Sequence, residues 1–191
     1  MLHLSNPSNV CYANAGTNLL FSSPLVTRFL SALPENNAEL NIVRQLATLA
    51  PNYVGNLAEL WKTVAENTQF KCNNDSIQED TSEWITALYN TIWQLLGQNG
   101  NMQTNWYNLF NWDSIITYEC YNNSDHKSKD ITSNIILRLP VKDDDGRAIP
   151  TLNHSVDQLF KERIIHKNCE VCGDNTRLKK HRKKLQEFQK Y

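Results

Sequence analysis

The chain has 191 residues, a formal net charge of −1 and five cysteines, and no stretch of it is apolar enough to span a membrane. The charge is unevenly distributed, because residues 177–190 contain seven Lys/Arg and one Glu. A nucleic-acid binder that is basic throughout is therefore excluded, although the tail alone is compatible with that function. The first residues lack the basic start and apolar run of a signal peptide, so we expect a cytoplasmic and/or nuclear protein.

The first half of the chain predicts helices. Apolar residues recur there at intervals of three and four, and prolines mark several of the helix ends. The strongest prediction begins after Asp80, a suitable N-cap, and follows an apolar stripe from Trp84 to Leu96. The predicted helices cover residues 12–22, 25–33, 39–50, 57–64 and 81–96.

In the second half the pattern changes to strands. Residues 115–120 and 134–141 are rich in β-branched side chains, and residues 143–146 predict a turn. Ser155 can cap a short helix that ends near Phe160. Helices followed by strands indicate an α+β protein, with a helical region 1–97 and a β-rich region 98–191.

Cys11 stands at the start of the first predicted helix, five residues after Asn6. The backbone amides at a helix start favour the thiolate form of a cysteine, which is the nucleophilic form. A side-chain amide nearby can stabilise the oxyanion formed in acyl transfer. The two residues are therefore candidates for a nucleophile and its oxyanion donor. The alternative is that Cys11 is a small buried core residue.

Cys169 and Cys172 have the spacing of half a zinc site, because two thiolates two residues apart can chelate one ion. In a chain without an export signal this pattern favours metal binding or catalysis over disulfides. A tetrahedral structural site needs two further ligands, and Cys120 and His126 are the candidates. The alternative is that the site is incomplete and that the segment packs as a hairpin without metal.

Taken together, these segments resemble the ubiquitin-specific proteases, which are papain-like cysteine enzymes. Their nucleophile box reads roughly G-L-x-N-x-G-N-T-C-Y-x-N-[SA], and a second box, Q-Q-D-[AS]-x-E-F, opens a helix of the thumb subdomain. In the family's fingers subdomain, two Cys-x-x-Cys pairs lie on β-hairpins. The matching residues here are Leu4, Asn6, Asn9, Cys11, Tyr12, Asn14, Ala15, then Gln78, Asp80, Glu83, Trp84, then Cys120, Cys169 and Cys172.

The resemblance implies a helical thumb and β-rich fingers of a papain-like peptidase, with the palm largely missing. It implies that Cys11 attacks the carbonyl of ubiquitin's terminal glycine and that Asn6 steadies the oxyanion. The expected partner is ubiquitin or a ubiquitinated protein, and a further partner is expected to cover the missing palm. The implied cofactor is a structural zinc ion in an incomplete site, because Asn123 stands where the first pair has its second cysteine.

The family's general-base histidine box, H-Y-x-[SA], has no counterpart around any of the five histidines. Two alternatives to an active deubiquitinase therefore stay open. One is a catalytically dead ubiquitin-binding or regulatory fragment. The other is a zinc-knuckle module that binds nucleic acid through the basic tail, although that tail offers few aromatic residues for base stacking.

Overall fold

The computed structural model describes residues 2–6, 10–35, 38–50, 52–70, 80–97, 99–120, 122–166, 169, 171–172 and 177–184, with the backbone alone at 166 and 177–184. The chain forms two compact units, Met1–Leu109 and Phe110–Tyr191. Helices dominate the first and strands the second, which makes the protein a mixed α+β chain. None of the described helices has the length and apolar composition needed to span a bilayer.

Unit 1 is a helical layer with one short parallel strand pair. Strand β1 pairs with β2 so that His3 lies opposite Val54. The helices begin and end close to the predicted limits, and the predicted N-cap Asp80 accepts a hydrogen bond from the Ser82 backbone N–H at 2.6 Å. The bounds are β1 His3–Leu4, α1 Cys11–Phe21, α2 Pro24–Ser31, α3 Asn41–Leu49, β2 Val54–Gly55, α4 Ala58–Asn67, α5 Thr81–Leu95 and α6 Gly100–Phe110.

Helices α1 and α5 approach each other closely at Gly16. A Cβ atom on this residue would lie 2.8 Å from Cδ1 of Trp84 and 3.1 Å from Cγ1 of Ile85. At the next residue of α1, the Trp84 indole N–H donates to the Thr17 hydroxyl at 3.0 Å inside the core. The absence of a side chain at Gly16 therefore makes room for the Trp84 indole, and the Thr17 hydroxyl accepts the hydrogen bond of the buried indole N–H.

Tyr12 anchors the first turn of α1 in an aromatic cluster. Its ring stacks on Trp61 with 6.4 Å between centroids and an interplanar angle of 19°. It also meets the edge of Trp84 at 6.4 Å and contacts Phe70 in a tilted arrangement. Because Tyr12 and Ala13 point into the core, Cys11 is left at the exposed side of the same turn.

Helix α6 was not predicted from the sequence. About half of its residues are polar, and its apolar stripe is short, comprising Met102, Trp106, Leu109 and Phe110. Trp106 fixes it to unit 1, since the buried indole stacks on Tyr89 and donates to the Tyr89 carbonyl at 3.2 Å. Trp106 is therefore the buried centre of this short stripe.

Unit 2 is a four-stranded antiparallel sheet in the order β4-β3-β6-β5, with one helix. Residue burial alternates along β3, which buries Ser114, Ile116, Tyr118 and Cys120 on one face. The basic segment that was predicted to be a tail forms β6, an inner strand between β3 and β5. The bounds are β3 Trp112–Cys120, β4 Lys127–Asn134, α7 Leu152–Phe160, β5 Arg163–His166 and β6 Arg177–Lys184.

Two local predictions in unit 2 are wrong. The predicted strand 134–141 is irregular chain, and the strand that pairs with β3 is the preceding polar segment β4. Pairing in the β3–β4 hairpin outweighs side-chain propensity there. The short helix is capped by Thr151, whose hydroxyl accepts from the His154 N–H, and Ser155 lies inside the helix, where its hydroxyl donates to the Pro140 carbonyl.

The predicted turn at 143–146 is confirmed. The Asp143 carboxylate accepts from the backbone N–H groups of Asp145 and Arg147 at 3.0 and 2.8 Å. Gly146 has a φ of 79°, which is unfavourable for other residues.

The close approach of α1 and α5 predicts a large cost for Gly16→Ala. We expect the free energy of unfolding to fall by about 1–3 kcal/mol, because the added methyl group overpacks the site against Trp84. Gly100→Ala is the matched control. A Cβ there meets no atom within 4 Å, so its effect should stay within about 0.5 kcal/mol. Urea unfolding measures the loss of unfolding free energy in both variants. Equal losses would contradict the close packing of α1 against α5 at Gly16.

Candidate functional site

Cys120 and His126 reach the same place because they border the turn between β3 and β4. Cys120 is the last residue of β3, and its backbone N–H donates to the His126 carbonyl at 3.0 Å. The turn is closed by the His126 N–H, which donates to the Asn123 carbonyl at 3.1 Å. Backbone pairing therefore fixes both ligand positions at one end of the sheet.

Cys169 and Cys172 lie on the segment that connects β5 and β6. The Cys172 backbone N–H donates to the Cys169 sulfur at 3.5 Å, which folds the segment so that both thiols face the same point. Cys169 is buried, whereas Cys172 is exposed. The antiparallel register places this connection beside Cys120, because Cys120 is opposite Leu178 at the start of β6.

The four side chains form a cluster that could hold a metal ion, as the sequence predicted. The ligand atoms all lie within 4.8 Å of one another. Cys120 Sγ is 3.7 Å from Cys172 Sγ, and His126 Nδ1 lies 3.0 Å from Cys172 Sγ and 4.0 Å from Cys169 Sγ. Tetrahedral bonds of about 2.3 Å to sulfur and 2.0–2.1 Å to nitrogen would place such atoms about 3.5–3.8 Å apart. The donor set thus suits a four-coordinate ion, and the observed separations, from 3.0 Å up to 4.8 Å, span the tetrahedral values.

Two of the thiols have shifted pKa values. Hydrogen bonds from the backbone N–H groups of Cys172 and Val171 lower the pKa of Cys169 to about 7. Removal of its sulfur from water, together with the sulfurs of Cys120 and Cys169, raises the pKa of Cys172 to about 11. One thiolate is therefore favoured in the cluster, and a cation is needed to hold several of them ionised together.

Asn123 orients the ring of His126. Its side-chain nitrogen lies 3.2 Å from Nε2 of His126, and its side-chain oxygen accepts from the Asp125 backbone N–H at 2.9 Å. The other ring nitrogen, Nδ1, is thereby directed at the sulfurs. The sequence identified Asn123 only as a missing cysteine, whereas in the structure it supports a ligand from outside the cluster.

The cluster rests on a small apolar core. Two of the ligands, Cys120 and Cys169, belong to it, together with Ile116, Tyr118 and the partly buried Ile165. The ligand sulfurs are therefore part of the packing of unit 2. Loss of a ligand would disturb both the cluster and this core.

The second candidate site is Cys11, the first residue of α1. It is exposed and forms no disulfide. The Asn6 side-chain oxygen accepts from the Val10 backbone N–H at 3.3 Å, so Asn6 is turned toward the start of the helix. A second amide, Asn14 Nδ2, donates to the Ser5 carbonyl at 3.1 Å and ties α1 to the segment that carries Asn6. The predicted alternative, a buried core cysteine, is not what the structure describes.

The histidines are distributed over both units. His3 lies on β1 and is exposed, His126 belongs to the cluster, and His154 lies in α7 with Nδ1 3.1 Å from the Thr151 hydroxyl. His166 and His181 lie on β5 and β6. Two residues named in the sequence analysis, Asn9 and Gln78, lie outside the described part of the chain.

No known protein-family model matches the chain, and no curated protein is significantly similar to it in sequence.

The cluster predicts a defined response to cobalt(II). Titration of the reduced protein should give the visible absorption of a tetrahedral thiolate complex, saturating at one ion per chain, because the donors are already close to that geometry. Cys169→Ser should abolish most of the spectrum, and Cys11→Ser, which changes a thiol of unit 1, should leave it intact. An octahedral spectrum, or equal loss in both variants, would contradict the cluster as a metal site.

Proposed function

We propose that the protein is a ubiquitin-directed thiol peptidase that resembles the ubiquitin-specific proteases, with Cys11 as nucleophile and Asn6 as oxyanion donor. The observation that carries the proposal is the exposed Cys11 thiol at the first position of a helix whose opposite side is locked into the core. A nucleophile needs such access together with a fixed position.

The contacts behind Cys11 support this proposal. The first of the two sequence boxes ends on α1 and the second ends on α5, and these helices pack together through Gly16, Thr17 and Trp84. Tyr12, the neighbour of Cys11 in the first box, meets the edge of Trp84 from the second. This contact gives a physical reason for both boxes. Trp84 of the second box packs against α1, the helix that begins with Cys11 of the first box.

The chemistry expected of this site is acyl transfer. Cys11 Sγ attacks the carbonyl carbon of ubiquitin's terminal glycine, and the Asn6 amide nitrogen donates to the oxygen that becomes negative. The C–N bond then breaks, the amine leaves with a proton, and water hydrolyses the resulting thioester. The proton must come from a general acid. His126 is engaged with the sulfurs of the cluster and is not proposed for this role.

For unit 2 we propose a structural zinc site. Three thiolates and one imidazole are a common donor set for structural zinc, and Cys120, His126, Cys169 and Cys172 provide it. Zinc would hold the turn after β3 to the connection between β5 and β6. Its part in the proposed function is to shape the finger-like sheet, and no step of the acyl transfer passes through it.

A second candidate is a ubiquitin-binding protein without turnover. It is favoured by one observation, the engagement of His126 in the cluster, since this removes a histidine from those available as general base. The two candidates share the same recognition of ubiquitin and the same exposed Cys11. They differ in the step that protonates the leaving amine.

The proposal predicts covalent capture of ubiquitin at Cys11. Ubiquitin with a C-terminal propargylamide should form an adduct, seen as a mass increase of the intact protein, because the thiol is exposed at the helix start toward which Asn6 is turned. Cys11→Ser should form none. Asn6→Ala should slow the reaction by about 10²–10³-fold, the usual loss for one oxyanion donor. A propargylamide probe lacking ubiquitin's C-terminal tail is the control for simple thiol reactivity.

Hydrolysis of a fluorogenic ubiquitin amide separates the two candidates. An adduct with turnover supports the peptidase, and an adduct without turnover supports the binding protein. Equal labelling by the intact and the truncated probe, or labelling that persists in Cys11→Ser, would contradict both.

A further inference from the structure

The basic inner strand β6 is not used by the proposed function, although it contains six of the chain's Lys/Arg residues. Its register defines two faces of the sheet. The residues of β3 that are buried, such as Ile116 and Tyr118, mark the inner face, and the alternating positions Ile115, Thr117 and Glu119 mark the outer face.

The outer face collects lysines from two strands. On β4, Lys127 and Lys129 lie opposite Glu119 and Thr117 and are exposed. On β6, the residues at the positions opposite Glu119, Thr117 and Ile115 are Lys179, His181 and Lys183. Two of the three rows thus hold basic residues on both sides of β3, and the third holds Lys183 on β6 and the exposed Ile131 on β4.

These charges are only partly balanced. Within the three rows Glu119 is the acidic residue, and its carboxylate already pairs with Lys127 at 3.2 Å. Asp113 lies one row further on and accepts from the Ser133 hydroxyl. By register the three rows therefore hold four lysines and one glutamate, and like charges on neighbouring strands destabilise a sheet unless an anion compensates them.

We propose that this outer face binds the phosphate backbone of a nucleic acid without base specificity. Phosphate oxygens are commonly contacted by Lys and Thr, and Thr117 lies between the two lysine-bearing strands. The composition does not fit a protein partner, because protein interfaces are depleted in Lys and enriched in aromatic residues. The rows defined above contain no aromatic residue. Without a stacking surface, recognition of bases is not expected.

The test is fluorescence anisotropy of a fluorescein-labelled oligothymidylate with the zinc-loaded full chain, titrated between about 50 and 200 mM salt. The outer-face variant K129S/K179S/K183S removes three positive charges from the rows. We expect it to weaken binding by about tenfold or more and to reduce the slope of log affinity against log salt by about 2.

The matched control is K180S/R182S/K184S, which removes the same charge from the alternate positions of the same strand, opposite Tyr118, Ile116 and Ser114. It should keep most of the affinity. If circular dichroism shows that this control loses its fold, K62S/K142S/R147S replaces it, since these three residues are exposed and lie outside the sheet.

Three results would overturn the proposal. The first is no binding of the oligonucleotide by the folded wild-type chain. The second is equal weakening by the outer-face and control variants, which would show attraction by net charge alone. The third is tighter binding to polyglutamate or to anionic phosphatidylserine vesicles than to the oligonucleotide, which would assign the face to another partner. None of these results depends on Cys11 or on ubiquitin.

Discussion

The junction of Cys120, His126, Cys169 and Cys172 is the contact on which unit 2 depends most. It joins the β3–β4 turn to the connection between β5 and β6, two segments that are far apart in sequence. The apolar core beneath it is small and includes two of the four ligands. A sheet of this size buries little apolar surface, and small folds of this kind commonly need a metal or another cross-link. The ligand set therefore contributes to stability as well as to shape.

Unit 1 is stabilised differently. Tyr12, Trp61, Phe70 and Trp84 form an aromatic cluster, and Gly16 allows two helices to meet at close range. Close packing of this kind permits few rearrangements, so the first turn of α1 has a defined position. The rigidity on the inner side of the helix is what gives the exposed Cys11 a fixed direction. This is the structural basis on which the proposed peptidase chemistry rests.

The sequence was informative where local signals agree with packing. The apolar stripe of α5 and its cap Asp80 identify that helix, and the spacing of Cys169 and Cys172 identifies half of the cluster. The sequence was less informative where backbone pairing between strands decides which segment becomes a strand. Strand β4 is polar and was missed, because the hairpin with β3 outweighs its weak strand propensity.

Other features had no clear signal in the sequence. Helix α6 has one fully buried residue, Trp106, and its apolar stripe covers only about two turns, so its periodic signal is weak. Asn123 supports His126 through a side-chain contact that spacing cannot reveal. The inner position of β6 also could not be predicted, because a run of Lys and Arg is typical of a solvated segment.

We propose that a metal ion at the cluster holds the sheet of unit 2 together, and hydrogen exchange is the measurement to make. The amide protection of β3 and β6 would be measured in the zinc-loaded protein and after removal of zinc by a chelator. If the metal holds the sheet, amide protection should fall throughout the sheet while α1 and α5 keep theirs, because the aromatic core of unit 1 does not involve the cluster. Unchanged protection of β3 and β6 after complete removal of the metal would contradict it.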